Sequence, residues 1–247
     1  PAHAVRMISD IVPNPFVCRE IVGATVAALR ARGFDDAKLG LLASLIVEEL
    51  RKGLEAARNE RAEALFKAEV AAGRIQFRLR LDGRNWRMPF SIETTEPENA
   101  RQLLNRAGGP LEKSLFTPVY ENELNSDERD VAVYLDGEKT LAWWHRNVAR
   151  TQYGIQGWKK AKIYPDFIFA VQRDGEAKRI TVLETKGDQL DNLDTAYKRE
   201  ALAFLSDHFE WDEATPVGEL ELVNNGETVE GTLILMSEWK AKLPAYL

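Results

Sequence analysis

Three charged residues stand in two apolar, strand-like runs: Asp166 in IYPDFIFAVQ, and Glu184 and Lys186 in ITVLETKG. A carboxylate or an ammonium is costly to remove from water unless a partner or a cation offsets it. Side chains on a strand alternate between faces, so Glu184 and Lys186 point the same way. Asp174-Gly175 lies between the runs and suits a tight hairpin turn, which would lay the Asp166 end beside the Glu184 end. Two carboxylates held together repel unless a cation sits between them. Hard oxygen ligands with room for water suit Mg2+, with Mn2+ as a substitute. The backbone carbonyl of Thr185 offers one more oxygen. Such an ion polarises a phosphate and lowers the pKa of a bound water. Lys186 is then placed to position or deprotonate that water and to offset charge in the transition state. The parts fit phosphodiester hydrolysis. The plain alternative is a cross-strand Asp–Lys or Glu–Lys pair at a sheet edge, which stabilises only weakly.

Around this set lie further candidates, each with an ordinary reading beside the functional one. Glu128 precedes the sheet and is either an additional metal ligand or the N3 residue of a capping box begun by Asn125. From Lys139 to Tyr164 the chain carries Lys139, Arg146, Arg150, Lys159, Lys160 and Lys162 and no Asp or Glu. That segment is either a solvated face or a surface for a phosphate backbone. Arg146 and Asn147 are candidates for phosphate or sugar contacts, and Lys159 and Lys160 extend the same surface. Gln156 either positions DNA or satisfies a loop. Lys198, on a helix after the second strand, either reaches a phosphate or pairs with Asp194 four residues back. His145 is a core or loop histidine ahead of a catalytic base, since Lys186 already fills that role. Of Trp143 and Trp144, at least one must face the core if they lie on a strand.

The elements that must position these residues follow from periodicity and punctuation. Asn14-Pro15 opens a helix that runs to Gly33. A second helix is expected from Asp36 to about Ala71, with Gly40 and Gly53 as weak points. RIQFRLRL alternates as a strand with a basic face, solvated rather than DNA-facing. Gly108-Gly109-Pro110 breaks regular structure and sets a boundary between a mainly helical region with a short β-hairpin (1–109) and a second domain (110–247). In the latter, a helix over Ser126–Leu135 precedes strand or loop material at Leu141–Trp144 and Tyr153–Trp158. Strands at Phe167–Gln172 and Ile180–Glu184, a helix over Asp191–Phe209, and strands at Glu219–Val223 and Gly231–Met236 follow, the last two around Asn225-Gly226. The outline is α/β, a mixed sheet with helices packed on it.

The whole chain sets outer limits. With 33 Lys and Arg against 39 Asp and Glu, its net charge of −6 excludes a uniformly basic nucleic-acid binder but not a local basic face. One cysteine allows no intrachain disulfide and fits a reducing, cytoplasmic setting. No segment reads as a signal peptide or a membrane span. The absent initiator Met leads us to expect a piece of a longer protein.

Pro165-Asp166 and Glu184-Thr185-Lys186 resemble the two halves of the PD-(D/E)xK nuclease motif. The succession E-x-x-V-A-x-x-L-D, W-W-H-R-N, Y-G-I-Q-G-W, Y-P-D-F-I and L-E-T-K-G further resembles the C-terminal nuclease region of type III restriction helicase subunits and related defence helicases. The likeness covers about Tyr120 to Phe209. It implies a restriction-endonuclease-like core in the order α-β-β-β-α-β and Mg2+-dependent cleavage of double-stranded DNA in phage defence. It also implies a helicase motor in the full-length protein, a DNA-modification subunit as partner, and a dimer for double-strand cutting. No Gly-x-x-x-x-Gly-Lys-Ser/Thr phosphate loop occurs, so no ATP site is assigned to this chain. The alternative is a catalytically silent DNA-binding or subunit-docking module.

Overall fold

The computed structural model describes residues 2–75, 91–92, 98–173, 176–187, 193–208 and 228–247. The RIQFRLRL strand (but for its first residues), the turn at Asp174-Gly175, the strand at Glu219–Val223 and Asn225-Gly226 lie outside them. The chain forms two compact units, Pro1–Glu69 and Val70–Leu247.

The first unit is helical: α1 (Ala2–Ile8), α2 (Pro15–Ala31), α3 (Asp36–Leu41) and α4 (Ala43–Ala71), the last crossing the unit boundary. Asn14 caps α2 by accepting from Phe16 N at 3.0 Å and Val17 N at 3.3 Å. Gly33, at φ +85°, ends it, because the left-handed conformation suits a residue without Cβ. The helix expected over 36–71 is two helices, broken at Leu42. The break falls just past Gly40, whereas Gly53 lies in a stretch reinforced by Lys52–Glu48 and Arg51–Glu55 pairs one turn apart. Ile8, Cys18 and Val22 form its core.

The second unit is built on four strands in the order β1 (Leu141–Arg146), β2 (Phe167–Arg173), β3 (Glu176–Lys186) and β4 (Thr228–Leu235). β1–β2 and β2–β3 are antiparallel and β3–β4 parallel. Helix α6 (Leu193–His208) supplies the crossover that a parallel pair requires, and it packs on β4. Helix α5 (Ser126–Gly137) precedes β1; α7 (Trp239–Lys242) and a 3-10 turn close the chain. Val131, Ala132 and Leu135 of α5 share one core with Trp144, Phe167, Phe169, Leu183, Ile234 and Trp239. Trp144 is the inward member of the tryptophan pair, its Nε1 donating to buried Asp136 at 3.1 Å.

The boundary expected at Gly109 lies inside this second unit. Leu103 and Leu111, on either side of it, belong to the core with Trp144. Gly108 takes φ +81°, and Asn105 N donates to Gly109 O at 2.8 Å, so the Gly-Gly-Pro stretch is a tight loop. The same residues break regular structure in a tight loop and in a linker. Past this loop the chain straps the outer edge of β1: Trp144 N donates to Lys113 O and Leu115 N to Trp144 O, both at 2.9 Å.

Candidate active site

β2 and β3 are paired in the register Phe167↔Leu183, which sets Asp166 opposite Glu184. Asp166 N extends the ladder to Leu183 O at 2.9 Å, while Asn147 N donates to Asp166 O at 2.8 Å from the other side. The backbone of Asp166 is thus clamped between the end of β1 and β3. Its side chain is pinned too: Oδ2 accepts from both Thr185 N and Thr185 Oγ1 at 2.7 Å. Backbone groups of one strand residue face the same edge, so the Thr185 carbonyl also lies on the side toward β2, past that strand's first residue.

Glu184 is buried, 4% exposed. Oε1 accepts from Lys198 Nζ of α6 at 2.5 Å. Oε2 is buried and has no hydrogen-bond partner. Burial, with repulsion from Asp166 added, pushes its carboxyl up from 4.5 to about 7, against the pull of Lys198 and Lys186. Burial also raises the Asp166 carboxyl, and the Glu128 charge adds to this; the Thr185 hydrogen bonds and Arg146 oppose it. The Lys198 ammonium is held above its usual range although burial works against it, because Glu184, Asp194 and Asp166 all favour the charge. Lys186 shares the Glu184 face by alternation, and its carbonyl accepts from Met236 N at 2.9 Å.

Glu128 is placed differently from the metal-ligand expectation. Oε2 accepts from Asn125 N at 2.9 Å, completing the capping box, and Oε1 accepts from Arg146 Nη2 at 3.0 Å. Both oxygens are committed, so Glu128 acts on Asp166 through its charge. Among the described residues no cluster of three His, Cys, Asp or Glu side chains converges. The donor set for a hard cation is therefore Asp166, the orphaned Oε2 of Glu184 and the Thr185 carbonyl, with water completing it. An unpartnered buried carboxylate oxygen beside a second carboxylate fits that chemistry.

The expected DNA contacts divide. Asn147 is 2% exposed, and its amide is used up: Nδ2 donates to Tyr153 O at 2.9 Å and Pro165 O at 2.8 Å, and Oδ1 accepts from Tyr153 N at 3.0 Å. It ties the 147–166 loop to Asp166 and is no phosphate contact in this arrangement. Gln156 braces the same loop, donating to Lys159 O at 2.7 Å. Lys159 lies over the Tyr197 ring, 4.4 Å from its centroid, while Lys160 is exposed. Arg146 donates to Asn147 O at 3.0 Å, and its Nε is buried without a partner. Lys198 reaches Glu184, not open solvent.

His145 is buried and meets Gln152 Oε1 at 2.9 Å; burial lowers its imidazole to about 4, so it is neutral at physiological pH. It lines a cavity of 580 Å³ with Arg146, Phe116, Leu115, Val148 and Gln152, and not the space between the carboxylates. Sequence reasoning missed the Thr185 hydroxyl, since the middle residue of Glu-x-Lys carries no spacing signal. No helix among the described residues is long and apolar enough to cross a membrane. Comparisons with family models, with curated proteins and with solved structures find no match for the chain.

Proposed function

We propose that the second unit is a magnesium-dependent DNA endonuclease with a restriction-endonuclease-like core, acting in the cytoplasm. The observation that carries this reading is the buried, unpartnered Oε2 of Glu184 beside Asp166. Support comes from the element order α5-β1-β2-β3-α6-β4, which is the α-β-β-β-α-β order of that core. Magnesium, when bound, supplies Lewis-acid polarisation of a phosphodiester and a more acidic water. Asp166, Glu184 and the Thr185 carbonyl hold it. Thr185 keeps Asp166 aimed, and Lys186 holds a water for in-line attack and offsets charge on the phosphate oxygens. The exposed Lys160 and Lys162 supply sequence-independent contacts to the DNA backbone.

The motif succession extends the reading to the nuclease part of a motor-driven restriction-like enzyme. The helicase motor, a DNA-modification subunit and dimerisation for double-strand cutting are parts of that proposal. A second reading, a silent DNA-binding or docking module, is favoured by the Glu184–Lys198 ion pair, which already engages one carboxylate oxygen. Plasmid cleavage by the purified chain with Mg2+ separates the two. Asp166→Ala and Lys186→Ala should each slow cutting about 10²-fold or more. Cleavage unchanged in both variants would sink the nuclease assignment.

A further inference from the structure

The ammonium of Lys198 stands between two carboxylates. It donates to Glu184 Oε1, buried in the sheet, at 2.5 Å, and lies 4.0 Å from Asp194 Oδ2, one helical turn back on α6. The two differ in setting: the Glu184 side chain is 5% exposed and that of Asp194 56%. Lys198 therefore has a buried berth and a surface berth within reach of one flexible four-carbon stem. Asp194 already draws a second ammonium, with Lys159 Nζ at 4.0 Å.

A divalent cation between Asp166 and Glu184 would supply the charge that Lys198 now supplies, and two cations at that range repel. We propose that Lys198 is the resident counter-ion of the site: it holds Glu184 when no divalent cation is bound and swings to Asp194 when one arrives. This rests on the reading of Asp166 and Glu184 as a metal centre. The exchange also makes the site selective. A monovalent ion brings no more charge than Lys198 already does, so only a dication gains enough attraction from the two carboxylates to displace it. Lys198 is thus a positioning residue that governs occupancy, in place of the phosphate contact expected of it.

Amine acetylation read by mass spectrometry tests this on the whole chain, with Mg2+ calorimetry on the same preparation. Lys198 should label slowly without divalent cation and several-fold faster at saturating Mg2+. KCl of equal ionic strength should leave it slow. In Glu184→Gln the lysine should label fast with or without Mg2+. If Mg2+ binds by calorimetry and Lys198 labelling does not change, the swing is overturned while the metal centre stands. If KCl exposes Lys198 as well as Mg2+ does, the selectivity argument is overturned. Absent Mg2+ heat in the wild-type chain, or heat that survives Glu184→Gln, overturns both the swing and the metal-centre reading.

Discussion

Glu184 is the residue on which the site turns, because its charge is held out of water and only partly compensated. Its folded-state pKa of about 7 lies above the ordinary 4.5, so the folded protein holds that proton more tightly than the unfolded chain. The stabilisation from this protonation is full below about 4.5 and is lost as pH rises through about 7. Glu184→Gln cannot ionise, so it should melt near the wild-type temperature at pH 5 and above it at pH 8. Paired melts at the two values check the sign, and a constant difference would refute the assignment. In the presence of Mg2+ the wild-type deficit at pH 8 should shrink, as a ligand bound only by the folded state stabilises it. At this scale the sequence was informative where spacing alone decides geometry. Strand alternation puts Glu184 and Lys186 on one face, but Asp166 meets Glu184 only because the pairing shifts by one residue between Val171 and Gln172, which no spacing announces. Other roles were illegible because they depend on packing. Asn147 reads as a polar residue in a basic segment, yet its amide is consumed by Tyr153 and Pro165. Lys198 and Asp194 are visible as an i−4 pair, but nothing in the sequence says that α6 lays Lys198 against β3.

Among the elements, the loop between β1 and β2 is the most finely fitted. Ile155 and Ile163 pair across it, with hydrogen bonds of 2.7 and 2.8 Å. A Cβ added at Gly157 would lie 2.5 Å from the Tyr197 hydroxyl, so the loop and α6 approach as closely as a glycine allows. Gly157→Ala should cost about 1–3 kcal/mol, the usual penalty of overpacking. Because the nearest atom is the hydroxyl oxygen, Tyr197→Phe in the same chain should restore part of the loss. Urea denaturation of the two single variants and the double variant measures this. Strict additivity would show that the two residues do not meet. The strands β2, β3 and β4, the α5 cap and the α6 amphipathic face were readable from periodicity and turn chemistry, which are local. The break at Leu42 and the buried Leu202 of α6 were not, since they depend on competition between neighbouring contacts.

For the molecule as a whole, the segment before Gly109 belongs to the sheet-bearing unit. Leu103 is 7% exposed in the Trp144 core, and its backbone N–H donates to Val119 O at 2.8 Å. Leu103→Ala should therefore destabilise that unit by about 2–5 kcal/mol. A variant with wild-type urea sensitivity would return the boundary to Gly109. The sequence placed this boundary too late because glycine and proline report a break in regular structure and say nothing about which core the flanking leucines join. The strap over β1 bears on how copies of the chain can associate. Sheets commonly join by adding strand to strand along an open edge. Here the N–H and carbonyl of Trp144, midway along β1, are already taken by Lys113 and Leu115. A continuous intermolecular sheet through that edge is blocked, so any association of two copies of the chain has to be made through some other surface.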